Sequence, residues 1–262
     1  MRENRLTALI TGASSGIGED LARLFAADGH NLVLVARGGE RLHALAGELR
    51  DRKQIAASVI VADLSDPASP DRIARELAEK GQPIDVLVNN AGFGQYGMFA
   101  KVDPVELGRL LQVNVAALTL LTRLLLPAML SRRSGRVLNV ASTAAFQPGP
   151  LMAPYYASKA YVLSLSEALA EETRGTGVTV TCLCPGPTTT RFQARAGMQK
   201  SKLFKMVSTM SSAEVALAGY RGVMTGRRLV IPGFMNKVGV HANRFAPRIL
   251  APRIVRALQS EG

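Results

Sequence analysis

The spacing of apolar and polar positions along this chain changes period at regular intervals. Short continuous apolar runs occupy residues 6–11, 31–36, 58–62, 86–89, 136–140 and 179–183. They are rich in β-branched residues and too uniformly apolar for a sheet with one wet face, so they predict strands buried on both sides. Between them, residues 16–27, 39–50, 70–79, 104–130 and 157–174 carry apolar side chains at helical spacing. Strand then helix, repeated, predicts an α/β fold with a doubly wound parallel sheet and helices on both faces. A last short run, 228–231, predicts one more strand before Pro232-Gly233. No repeat, low-complexity tract or linker intervenes, so residues 1–262 read as one domain.

Two stretches break the rhythm. Residues 187–211 follow a strand end and are rich in Thr, Lys and Met, which suits a substrate lid at the carboxyl edge of the sheet. Residues 233–262 form a C-terminal extension. Phe245, Ile249, Leu250, Ile254, Val255 and Leu258 give it an apolar side, and Arg244, Arg248, Arg253 and Arg256 a basic one.

Composition narrows the class. With 47% hydrophobic and 20% charged residues the chain can build a sizeable core, which excludes disorder. The apolar stretch 115–130, broken by Arg123 and Pro127, falls short of a membrane span and reads as a buried helix. The chain enters its first strand at once, so no secretory leader is expected. Cys182 and Cys184, two apart in a strand, are poorly placed for a disulfide and read as reduced core residues of a cytoplasmic protein. Two cysteines and the scattered His30, His43 and His241 make no metal-ligand set.

Charge is unevenly placed. Of the net +12, residues 191–262 hold +11, with 13 Lys and Arg against Glu214 and Glu261. An anionic membrane surface is therefore a candidate partner of the extension; a solvated basic face is the plainer alternative. Nucleic acid is not expected, because no binding motif or aromatic platform accompanies the charge.

Candidate chemistry comes as short motifs in fixed order. In Thr11-Gly12-Ala13-Ser14-Ser15-Gly16-Ile17-Gly18, glycines stand where a strand turns into a helix. There a phosphate can approach bare backbone and meet the donors of a helix N-terminus; a simple tight turn is the alternative. At the second strand end, Arg37 stands where an acidic residue would bind ribose hydroxyls, so NADP(H) is expected in preference to NAD(H). Otherwise Arg37 is a surface arginine opening a helix. Asp63-Leu64 and Asn90-Ala91-Gly92 end the next two strands, as adenine and backbone contacts or as ordinary turns.

Tyr155 and Lys159 share one helical face, and an ammonium beside a phenol lowers its pKa toward neutrality. Such a tyrosine can give a proton to a carbonyl oxygen or take one back from an alcohol. Ser142, at the fifth strand end, could hold that oxygen. Asn114, in a helix interior, could hold a water that relays protons from Lys159. Pro185-Gly186 with Thr188 and Thr190 would lie by a nicotinamide carboxamide. Each of these residues could alternatively be a locally satisfied polar group.

In their order and spacing these residues resemble the short-chain dehydrogenase/reductase family over residues 5–232. The resemblance implies a Rossmann-type domain, a nicotinamide dinucleotide as cofactor and Asn114, Ser142, Tyr155 and Lys159 as a catalytic tetrad. It also implies homo-oligomers built on the helices that begin near Asn114 and Tyr155. The extension would cover the edge used for tetramers, so a dimer is expected. Phe93, Phe146, Met152 and Phe192 line the expected pocket and point to an apolar carbonyl or alcohol substrate. Lys200, Lys202 and Lys205 would recruit an acidic substrate or form a solvated run. A cofactor-binding regulatory protein without turnover is the competing class, and the complete tetrad argues against it.

Overall fold

A computed structural model of the protein describes residues 5–190, 192, 209–245 and 249–259. Strands β1 (Thr7–Thr11), β2 (Asn31–Ala36), β3 (Ala57–Val61), β4 (Val86–Asn89), β5 (Gly135–Val140), β6 (Val178–Leu183) and β9 (Leu229–Val230) form one sheet in the order β3-β2-β1-β4-β5-β6-β9. Every pair is parallel. Two-residue strands β7 (Thr188–Thr189) and β8 (Met210–Ser211) pair separately. Helices α1 (Ile17–Ala27), α2 (Gly39–Lys53) and α7 (Ser212–Met224) cover one face. On the other lie α3 (Ser69–Glu79), α4 (Pro104–Leu111), α5 (Leu118–Ser131) and α6 (Ala153–Glu172).

The uniform apolarity of the strands now has its cause. Ala8, Ile10, Leu32, Leu34, Val86 and Val88 pack against Leu21 and Phe25 of α1 and Val215 and Val223 of α7. The alternate residues Leu9, Val33, Val35, Leu87 and Val137 pack against Ile73 of α3 and Leu121 and Met129 of α5. Each such Leu or Val contributes roughly 1.5–3 kcal/mol by leaving water.

Several expectations shift by a turn. Helix α6 starts at Ala153, four residues before the expected 157, because Pro154 sits favourably in its first turn. The expected helix 104–130 is continuous to Ser131, but residues Gln112–Ala117 form a π-helical turn between α4 and α5. By length and composition the 104–131 stretch could span a membrane. Its Leu118, Leu121 and Met129 are buried against the sheet, whereas Leu111, Leu120 and Leu124 are exposed. The expectation of a buried helix therefore holds for one face only. Helix α7 is absent from the sequence reading, although Ser211 and Glu214 close a full capping box at its start.

Beneath the sheet's carboxyl edge, a buried polar ladder ties strands to helices. Asn89 Nδ2 donates to Thr122 Oγ1 and Asn139 Oδ1, both at 2.9 Å, and Asn139 Nδ2 donates to Ser166 Oγ at 3.0 Å. Ladders of this kind fix α5 and α6 relative to β4 and β5, because a shift would leave buried amides unpaired.

The extension forms α8 (Phe234–Phe245) and α9 (Ala251–Gln259). Val255 is buried and Ile254 exposed, so the expected common apolar side is split. The side chains of Arg244 and Phe245, and Arg248 altogether, lie outside the described residues. So does the 187–211 lid over residues 191 and 193–208, including Lys200, Lys202 and Lys205.

Candidate functional site

The carboxyl ends of β1 to β6 open into one cleft of about 1040 Å³. It is lined by Gly12, Ser14, Ser15, Gly16, Ile17, Arg37, Asp63, Leu64, Asn90, Ala91 and Gly92 from the first four strand ends. Ser142, Tyr155, Lys159, Pro185, Gly186, Thr188 and Thr190 continue it, and Phe93, Phe146, Met152 and Phe192 close the far end.

At the floor, the backbone dictates the sequence. Gly12 and Gly16 take φ of 66° and 59°, where an L side chain is strained. Gly18 is behind the cleft rather than on its surface, for a Cβ there would stand 2.4 Å from Gly12 O. Among the described residues no side chain caps the N-terminus of α1, which leaves its first N–H groups to a ligand anion. Thr11 and Asn90 brace this loop. Thr11 Oγ1 accepts from the Asn90 and Ala91 N–H groups at 3.0 and 3.1 Å, and Asn90 Nδ2 donates to Thr11 O at 2.9 Å. Asn90 thereby spends its amide on the cradle, a role that sequence reading gave to neither residue.

At the rim, Arg37 Nη1 lies 3.9 Å from Asp63 Oδ2, with both side chains largely in solvent. An ion pair this long and wet is worth little and leaves the guanidinium available. Arg41 lines the same rim.

The four residues expected to form a tetrad converge. Asn114, within the π-turn, is buried; its Oδ1 accepts from Phe93 N at 3.0 Å, and its Nδ2 donates to Phe93 O at 2.9 Å and Ser158 Oγ at 3.1 Å. Nearly all its capacity goes to bracing the chain beside Gly92. Lys159 Nζ donates to Val140 O at 2.8 Å and faces Gly92, where a Cβ would come within 3.3 Å. The Ser142 hydroxyl donates to Pro185 O at 3.3 Å, caps the short 3₁₀ turn Thr143–Phe146 by accepting from Ala144 N at 3.1 Å, and favours the charged form of the neighbouring Tyr155 phenol.

Electrostatics departs from the sequence expectation. Burial pushes the Tyr155 phenol well above its ordinary range, against the opposing hydrogen bond from Ser142. Burial also pulls Lys159 down to about 8. The ammonium sits 5.8 Å from the centre of the Tyr155 ring, held by a carbonyl, and does not offset the loss of water around the phenol. The Tyr155 phenol is thus neutral near pH 7, not lowered as its lysine neighbour suggests.

Helix α8 supplies cleft residues that sequence reading did not name: Met235, Asn236, Gly239, Val240 and Asn243. Asn243 Nδ2 donates to Phe146 O, and Asn236 packs so closely on Gly186 that a Cβ there would meet its Oδ1 at 2.3 Å. The short-chain dehydrogenase family model matches residues 6–201. The chain belongs to the short-chain dehydrogenase/reductase family. It is accordingly an oxidoreductase of CH–OH groups, in a family whose members bind NAD(P)(H). An uncharacterised oxidoreductase, YvrD of Bacillus subtilis, is 39% identical over 182 residues, 70% of this chain and 68% of that protein. A short-chain dehydrogenase from Sphingobium yanoikuyae, solved with NADPH, superposes with a TM-score of 0.82 at 36% identity, covering 91% of this chain and 93% of that one. The bulky-bulky ketone specific alcohol dehydrogenase of Comamonas testosteroni gives 0.78 at 33% identity, covering 92% and 93%.

Proposed function

We propose that this reductase interconverts a carbonyl and an alcohol on an apolar small molecule, with NADP(H) preferred over NAD(H) and Tyr155 as the general acid/base. The convergence of Ser142, Tyr155 and Lys159 at the inner end of the side-chain-free cradle carries this reading. A bound nicotinamide supplies or accepts the hydride. Ser142 orients the substrate oxygen, and Tyr155, neutral at pH 7, donates its proton there during reduction. Lys159 keeps further N–H donors for a ligand hydroxyl. Asn114 fixes the backbone at Gly92 and Phe93 and retains an Oδ1 lone pair for a relay water.

Arg37 and Arg41, at the mouth by Asp63, support the NADP preference through pairing with a 2′-phosphate. Phe93, Phe146, Met152 and Phe192 support an apolar substrate, as does the similarity to an alcohol dehydrogenase for bulky ketones. The free thiols of Cys182 and Cys184, with sulfurs 3.7 Å apart, suit the reducing cytoplasm. Exposed Leu120, Leu124 and Tyr161 on α5 and α6 support a homodimer through these helices. An added attachment to anionic membranes is favoured by exposed Phe234, Met235, Ile249 and Ile254 near the basic residues of the extension. Vesicle flotation tests that second reading.

The central experiment follows NADPH and NADH oxidation over a panel of bulky apolar ketones. Tyr155→Phe is expected to bind NADPH normally and lose about 10²–10⁴-fold in kcat. Arg37→Ala is expected to weaken NADPH about tenfold or more and leave NADH unchanged. Undiminished turnover in Tyr155→Phe would overturn the assignment.

A further inference from the structure

The second tyrosine, Tyr156, has no place in proton transfer, yet it is buried and lines the substrate end of the cleft. Its ring lies flat on Gly149, where a Cβ would stand 2.2 Å from ring carbon Cγ. Its hydroxyl accepts from Nε2 of Gln259, the last described residue of α9 and fully buried. The main-chain carbonyl of Gln259 accepts from Tyr96 Oη at 2.8 Å. One helical turn earlier, Val255 packs with Met152, Tyr156 and Ala144, a cluster that Tyr155, Phe192 and Tyr96 adjoin. The chain's last helix therefore stands directly behind the wall that carries the proton donor.

We propose that Gln259 is a positioning residue: through its hydrogen bond to Tyr156 it clamps α9 onto the Met152–Tyr156 wall and so sets the shape of the substrate pocket. This rests on the cleft being the substrate site proposed above. The chemistry favours a clamp over a plain core contact. Phenol and amide are a costly pair to bury, and a leucine or methionine would fill the same volume more cheaply. Among the described residues, the bond to Tyr156 is the one that holds the Gln259 side-chain amide. A directional bond anchors the hydroxyl end of Tyr156 next to Tyr155, whose ring it meets edge-on at 6.1 Å. An apolar contact would leave that end free to shift.

The test pairs Gln259→Met with Tyr156→Phe and their double variant in the full-length enzyme. Gln259→Met keeps the volume but leaves the buried Tyr156 hydroxyl unpaired, so Tm is expected to fall by a few degrees while the protein still folds. Each single variant is expected to raise KM for the ketone about fivefold, the weight of one neutral hydrogen bond, without changing NADPH affinity. The double variant is expected to be no worse than either single one, since both break the same bond. Effects that multiply, or a KM within twofold of wild type, would overturn the proposal. Hydrogen exchange reads the clamp without turnover. Faster exchange over residues 152–156 in Gln259→Met supports it, and unchanged exchange refutes it, even if the wild-type enzyme turned over no ketone and the functional reading fell instead.

Discussion

Lys159 offers a way to weigh the site's electrostatics without knowing the substrate. Its ammonium is buried, hydrogen-bonded to Val140 O, and loss of water lowers it from 10.5 to about 8. Below pH 8 the folded protein carries a charge that it solvates worse than the unfolded chain does. As pH rises from about 8 to 10.5, the folded state releases this proton first, so unfolded chains bind more protons and stability rises. The full shift corresponds to about 3 kcal/mol, of which about 2 kcal/mol falls between pH 7.5 and 10. Lys159→Met removes the titration and keeps most of the volume. Urea unfolding of both proteins without cofactor, at pH 7.5, 9 and 10, cancels every group they share. The stability of the methionine variant minus that of wild type is expected to fall by about 2 kcal/mol across this range. A difference that stays flat would show that Lys159 is not desolvated, and the depression to about 8 would be wrong.

Three further outcomes follow from the geometry. Gly18→Ala drives a Cβ to 2.4 Å from Gly12 O and from Asn90 Nδ2, so the cradle must move; NADPH binding, followed by fluorescence, is expected to disappear while the protein still folds. Asn114→Ala strands the Phe93 N–H and C=O, and urea unfolding is expected to show a loss of about 2 kcal/mol or more. His30 is buried against Phe25, and loss of water lowers its pKa despite Asp28 nearby. Stability is therefore expected to drop as pH falls through about 6.5, where the unfolded histidine takes up its proton first, and His30→Leu is expected to flatten that decline.

The strands could be read from the chain because a sheet covered on both faces leaves no polar alternation to confuse them. The grouping of the glycine turn with Ser142, Tyr155 and Lys159 could be read because Gly12 and Ser142 stand at strand ends, which the strand pattern locates, and Tyr155 and Lys159 at helical spacing. Other features depend on partners distant in sequence. Helix α7 was missed because its Ala- and Gly-rich face gives a weak periodic signal, although Ser211 and Glu214 announced its start. The pairing of Asn89 with Asn139 and the bracing of Gly12 by Asn90 join residues 50 and 78 positions apart. The titration of Tyr155 misled for a related reason. Spacing placed Lys159 nearby, but burial, which spacing does not report, outweighs it. The tail misled too, because Ile254 and Val255 look alike in sequence and only docking separates them.

The π-turn at Gln112–Ala117 sets the phase of everything after it. A wider turn is one residue more than an α-helix needs for the same rise, so it acts as an insertion absorbed without a loop. Rewinding these residues as a regular α-helix, with none removed, would rotate the rod downstream by about 100°. Leu121 and Met129 would swing off the sheet, and Thr122 would leave Asn89. The helix carrying Asn114 is thus tuned like a vernier: its first half is indexed to the cleft, its second half to the core, and one residue of slack lets both fit.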